Sequence, residues 1–211
     1  PKVARYRDLN GLSFAPCIDL DYGVSEVIGD RAYHRDPEVV SRLAVACMQG
    51  MRTAGMAATA KHFPGHGAVV ADSHKALPID RRPLTELTDE LLPYRRMIAN
   101  GLTSVMVAHV LFPEVDEAPA GFSARWIQQE LRWGLGFTGA VFSDDLSMGG
   151  AAFAGTVPER ARRAIEAGCD LLPICNDRPA VLATLTELEG AADPLSQVRL
   201  ARLHGRPMPD R

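Results

Sequence analysis

Five short apolar runs, each closing on polar residues and separated by stretches of helical periodicity, constrain this chain more than any other feature. They are SFAPCIDL (13–20), AATAKHF (57–63), TSVMVAH (103–109), GAVFSDD (139–145) and DLLPICN (170–176). Continuous apolar runs of this length read as strands buried on both faces, the habit of parallel sheets. Between them the apolar residues recur at helical spacing. From 37 to 54, Val40, Leu43, Ala44, Cys47, Met48 and Met51 fall on one face, with Asp36 placed to cap and Pro37 in the first turn. Further helices are predicted over 84–100, 123–133, 157–167 and 178–188, and Thr156 and Glu159 have the spacing of a capping box for the fourth of the five. Alternating strand and helix predicts a parallel α/β fold, and no linker divides it into two domains.

The polar residues that close the runs choose between two such folds. Asp19 and Asp21, Lys61 and His62, His109, Asp144 and Asp145, and Asn176 stand at the C-terminal ends of separate runs. A closed (β/α)8 barrel brings those ends to one face, where such folds hold their chemistry, whereas an open doubly wound sheet spreads them apart. The prediction is therefore a barrel of the TIM type, here incomplete. Such a barrel takes eight strands and typically about 250 residues; this chain offers about five runs in 211 residues. It also opens without Met and almost directly on a strand, so the expectation is that N-terminal strands are missing.

Composition narrows the partners. The formal charge is −3 and no basic stripe is present, which argues against nucleic acid, because counterion release needs clustered Lys and Arg. The longest mainly apolar stretch, TSVMVAHVLF, falls short of the roughly 20 residues that span a bilayer, and the start lacks a signal pattern. No membrane partner is expected. Cys17, Cys47, Cys169 and Cys175 form no C-x-x-C pair and read as free buried thiols of a reducing compartment, the cytoplasm.

The segment KHFPGHGAVVADSHKALPID (61–80) concentrates the chemistry. His62, His66, Asp72 and His74 are of metal-ligating types, but Pro64, Gly65 and Gly67 break any helical register, so neither metal nor cofactor is expected. MGGAAFAG (148–155) has glycines without a phosphate-binding fingerprint and reads as small-residue packing. Carboxylate and proton-donor chemistry remains. Adjacent Asp144 and Asp145 at a strand end point to opposite faces, so at most one faces a barrel mouth. A carboxylate there suits attack on an electrophilic carbon while a partner protonates the leaving group. His74 beside Asp72 is a candidate partner, since a neighbouring carboxylate favours the imidazolium; the same two residues also fit a solvated loop. Its glycines and lack of an apolar period predict that 65–75 has little to pack with and moves.

KHFPGHG followed by DSH, together with GFTGAVFSDDLSM (136–148) and IGDRAYHRDP (28–37), resembles the β-N-acetylglucosaminidases of glycoside hydrolase family 3, in particular the single-domain bacterial enzymes of cell-wall recycling. The resemblance runs to about Asn176. It implies that Asp144 is the nucleophile, His74 the general acid/base and Asp72 its dyad carboxylate, with Arg31, Lys61 and His62 as substrate contacts and no catalytic role for Asp145. The implied reaction is retaining, exo-acting removal of terminal β-linked N-acetylglucosamine from muropeptides in peptidoglycan recycling, in the cytoplasm and without a cofactor. Members of this kind carry an N-terminal portion holding three more strands, one ending in a sugar-binding Asp motif. Residues 1–211 are accordingly expected to be the C-terminal part of one barrel domain. A catalytically inactive remnant or sugar-binding module is the alternative expectation.

Overall fold

The computed structural model describes residues 11–189 and 193–204. Four parallel strands, β1 (Leu12–Ser13), β2 (Ala57–Phe63), β3 (Ser104–Val107) and β4 (Ala140–Ser143), lie side by side in chain order. The register sets Thr59 beside Ser104 and Ser104 beside Ala140, then Lys61 beside Met106 and Met106 beside Phe142.

The first and fifth predicted strands pair less than their apolarity suggested. Beyond Ser13 the first run keeps one parallel bridge, Cys17 to Lys61; Pro16 has no amide to donate there, although its carbonyl accepts from the Lys61 N–H. The run at 170–176 meets β4 through one bridge, Phe142 to Leu171, and Pro173 again interrupts the donors while its carbonyl accepts from the Leu146 N–H. β1 and β4 are thus the two outer strands of the described sheet.

The helices follow their sequence signals closely. Asp36 accepts from the Glu38 and Val39 amides and starts α1 (Pro37–Thr53), whose Val40, Ala44, Met48 and Met51 are buried. Leu43, assigned to the same face, is exposed. The predicted 84–100 helix is divided into a 3-10 turn, Leu84–Glu86, and α2 (Thr88–Ala99). Residues Arg125–Gly134 wind as a π-helix. The Thr156–Glu159 capping box is present at the head of α3 (Val157–Ala167), which Gly168 ends in the left-handed region at φ 113°. α4 (Arg178–Glu187) was predicted, while α5 (Pro194–Ala201) was not.

Strand alternation divides the core. Ala58, Ala60, Val105, Val107 and Val141 face the helices, joining Met48, Tyr94, Met97 and Trp126 in the main cluster. Met106, Ala140 and Phe142 face the other way and are covered by Leu203. On this second face the rings of Phe14 and Phe142 meet edge to face, centroids 5.3 Å apart. In a flat sheet β1 and β4 stand three spacings, roughly 14 Å, apart, so the sheet curls toward this face. By the same alternation the residue after Phe142 that faces this side is Asp144, level with the end of β2 where Lys61 and His62 lie. Among the described residues no helix is long and apolar enough to cross a membrane.

Candidate active site

A buried carboxylate organises the end of β2. Asp19, 1% exposed, accepts from the His62 amide (3.3 and 3.2 Å), the His66 amide (2.7 Å), His62 Nδ1 (2.8 Å) and the Cys17 thiol (3.2 Å). Burial would raise its carboxyl, but the His62 ring, the hydrogen bonds from His62 and Cys17, and His66 together hold it below the usual carboxylate value. Burial and the same carboxylate push the Cys17 thiol well up, so it stays a protonated donor. With Nδ1 committed to Asp19, His62 has Nε2 left for a ligand. Asp19 was visible in the sequence as a polar strand end. Its role was not, because its partners come from both the 17–19 and the 62–66 segments.

Asp144 and Asp145 separate as the strand geometry requires. Burial would raise the Asp144 carboxyl; the His62 and His109 rings, the Asp145 amide (2.8 Å) and Lys61 outweigh it and bring it below its ordinary value. The side chain is half-buried. Asp145 turns away to accept from the Ser147 amide and hydroxyl and the Cys175 amide, which ties the 170–176 run to the β4 end. His109 is fully buried, stacked on Phe122, with Nε2 3.2 Å from the Asp145 carbonyl oxygen. Burial lowers its basicity against the pull of Asp144.

The 65–75 segment is more anchored than its composition predicted. Gly65 and Gly67 serve close contact: a Cβ on Gly67 would stand 1.9 Å from the Leu20 carbonyl oxygen, and one on Gly65 2.7 Å from the Glu90 carboxylate. His66 is buried, and its Nε2 lies 2.9 Å from Ser73 Oγ. Next along, the His74 ring meets Asp72 through Nδ1 at 2.7 Å, with its amide on the same oxygen at 2.9 Å. These bonds hold the Asp72 carboxyl below its usual value. The His74 side chain is 60% exposed. The amides of Gly149 and Gly150 donate to the carbonyls of His74 and Ser73, and side chains at either glycine would strike backbone oxygens of 73–75 at 2.5–2.9 Å. Small-residue packing in 148–155 thus has a particular object, the backbone of the 73–75 turn.

The structure brings Lys61, His62 and Asp144 into one electrostatic neighbourhood and pairs Asp72 with His74. Arg31 stands apart on the 3-10 turn Gly29–Arg31, its guanidinium Nε donating to the Val27 carbonyl at 3.0 Å. Behind Gly65 lies a cluster the sequence did not announce. Arg82 bridges Asp80 (2.7 Å) and Glu90 (2.9 Å) and covers the Tyr22 ring at 5.3 Å. One guanidinium between two buried carboxylates leaves a negative charge over. Burial accordingly pushes Glu90 up to about 7 in spite of Arg82.

A parallel α/β sheet whose strand ends carry a carboxylate, a lysine and a histidine places the chain among the α/β proteins that hold a site at the C-terminal ends of their strands. The model of the glycosyl hydrolase family 3 N-terminal domain matches residues 4–203, and this chain belongs to that family. A β-hexosaminidase of Nitrosospira multiformis is 52% identical over 199 residues, which cover 94% of this chain and 57% of that protein. The solved NagZ from Neisseria gonorrhoeae in complex with N-trifluoroacetyl-D-glucosamine is similar at a TM-score of 0.82 and 47% identity, over 92% of this chain and 56% of that one. A family 3 β-N-acetylglucosaminidase from Paenibacillus sp. str. FPU-7 superposes at 0.89 with 37% identity, over 96% of this chain and 40% of that one. The chain spans little more than half the length of the β-hexosaminidase it matches.

Proposed function

We propose that this chain carries the nucleophile and the acid/base of an exo-acting, retaining β-N-acetylglucosaminidase that removes terminal N-acetylglucosamine from muropeptides in cytoplasmic peptidoglycan recycling. The observation that carries the reading is geometric: Asp144 follows β4 on the sheet face that Lys61 and Phe142 share, and there His62 and Lys61 help to hold its carboxyl below the ordinary value. Asp144 attacks the anomeric carbon and the glycosidic C–O bond breaks. His74, oriented by Asp72, gives its proton to the departing oxygen. Water then attacks the same carbon, His74 takes the water proton, and Asp144 is released with the sugar configuration retained. Lys61 and His62 Nε2 hold the sugar, and Arg31 reaches it only after leaving the Val27 carbonyl. The relatives' names support the N-acetylhexosamine, and the family supports the hydrolase. The eight-stranded barrel is part of the same proposal: the curl across Phe14 and Phe142 supports it, with the remaining strands supplied by the length that relatives have and this chain does not.

The test is hydrolysis of a chromogenic N-acetyl-β-glucosaminide by this chain and by the family-length polypeptide, with the anomer released followed by proton NMR. First release of the β-anomer from the family-length protein, abolished by Asp144→Asn, is expected. First release of the α-anomer, or undiminished turnover in the variant, would overturn the reading.

A further inference from the structure

We propose that Cys17, Asp19 and His62 form a binding site for one soft divalent cation of the zinc class. Their ligand atoms, the thiol sulfur, a carboxylate oxygen and an imidazole nitrogen, all lie within 4.8 Å of one another. Sulfur, nitrogen and oxygen donors of this kind suit zinc, at about 2.3, 2.0–2.1 and 2.0–2.2 Å. Tetrahedral angles at those bond lengths give sulfur–oxygen and nitrogen–oxygen edges of roughly 3.4–3.6 Å. The present edges to Asp19 Oδ2 are 3.2 Å from Cys17 and 2.8 Å from His62. Small side-chain rotations therefore open the site to metal dimensions.

The proton inventory favours the exchange. One oxygen, Asp19 Oδ2, now receives both the Cys17 S–H and the His62 Nδ1–H. A cation placed among the three atoms takes over both contacts. Metal–sulfur, metal–oxygen and metal–nitrogen bonds form and the S–H bond breaks, its proton leaving to solvent. The neutral imidazole keeps its single proton by moving it from Nδ1 to Nε2. With a neutral ring the buried triad carries one negative charge before binding, and thiolate, carboxylate and dication sum to zero after it. Burial favours that change, because an uncompensated charge is costly inside a protein.

The surroundings supply the outer shell such sites need. Asp19 Oδ1 keeps the amides of His62 and His66, which fix the carboxylate while Oδ2 binds. Three protein ligands leave the fourth position for water, and Cys17 is only half-buried, so entry is from the thiol side. Metal on Nδ1 turns Nε2 of His62 from an acceptor into a donor toward the strand-end site. Occupancy therefore competes with glycoside binding; this last statement rests on the proposed function, whereas the metal site does not.

The experiment titrates the reduced, metal-free 211-residue chain with cobalt(II) and then displaces it with zinc(II). One equivalent is expected, with a thiolate-to-cobalt charge-transfer band and the intense ligand-field bands of a four-coordinate ion, both bleached by zinc. Cys17→Ser and Cys17→Ala should each lose the charge-transfer band. Their affinity should fall by more than the roughly 10–100-fold that loss of an outer-shell partner costs. Cys47→Ser and Cys175→Ser should keep the band, and circular dichroism checks that each variant is folded. A band that survives in both folded Cys17 variants, or folded parent protein with no band, overturns the site. Because absorbance is the readout, neither result depends on whether the chain is a glycosidase.

Discussion

Ser73 Oγ sits 2.9 Å from Nε2 of the buried His66, and that contact joins the turn bearing His74 to the Asp19 network. The His66 amide is itself held by Asp19, so a chain of hydrogen bonds runs from the end of the first apolar run, through the Pro-Gly turn, to the residue before His74. Under the proposed mechanism the same buried carboxylate sets both the sugar-binding end of β2 and the base of the acid-bearing loop.

In the family-length polypeptide, His74→Ala should cut turnover most for glycosides with poor leaving groups and far less for an activated aryl glycoside. Asp144→Ala should abolish both. Steady-state kinetics over a series of leaving groups makes the comparison. Equal losses across the series for the His74 change would remove it as the acid.

Asp19→Asn should destabilise the fold by about 1–3 kcal/mol, the cost of leaving a buried hydrogen-bond donor without its acceptor. The amide nitrogen would face donors that now meet a carboxylate oxygen. Urea unfolding of parent and variant measures the difference, and a loss below about 1 kcal/mol would show that the network is not structural.

Glu90 should make stability fall as pH rises. Its folded value near 7 lies above the 4.5 of an unperturbed glutamate, so the folded state holds the extra proton. The associated stability is full below about 4.5 and is lost as pH climbs through about 7, on the order of 3 kcal/mol at most. Glu90→Gln should flatten this slope. Unfolding free energies measured across that window would show parallel curves for parent and variant if the assignment is mistaken.

For Asp72 the sign is the opposite. Its carboxyl lies below the usual value because the His74 amide and ring bind it, so the contact is present above the unperturbed carboxylate range and is lost as pH falls through the depressed value. Carboxyl carbon NMR should record that low titration, and His74→Ala should move it part of the way back up, since the amide that contributes most is kept. An unchanged titration in the variant would dissociate the pair.

Gly67→Ala should cost about 2–4 kcal/mol, a severe loss for a single methyl group, because backbone meets backbone at Leu20 and no side chain can swing aside. Thermal unfolding against the parent reads it directly. An unchanged midpoint would mean that the 61–67 turn does not cross Leu20 as described.

Local signals carried far in this sequence, and long-range ones did not. Asp36 with Pro37, and Thr156 with Glu159, marked helix starts because capping is decided within four residues. The alternation of runs gave the parallel sheet, but Pro16 and Pro173 shortened the pairing of the outer runs, an effect apolarity does not report. That at most one of Asp144 and Asp145 faces the site was legible from the strand period, while the choice of Asp144 came from the family resemblance. The duties of Asp19, His66 and Glu90 were not, since each depends on segments 7 to 47 residues apart meeting in space. Glycine misled most directly: at Gly65 and Gly67 it permits contact, where composition alone suggested freedom.

Gly149 and Gly150 also bear on how this site could be re-engineered. They grip the 73–75 turn by backbone atoms alone, so the two loops behave as a mated pair whose fit is blind to most side chains. Exchanging residues on the exposed side of either loop can alter the chemistry while the spacing of the mated backbones is kept. Transplanting a whole loop from a relative is another matter. Residues 64–76 and 146–155 would have to travel together, as one interchangeable part.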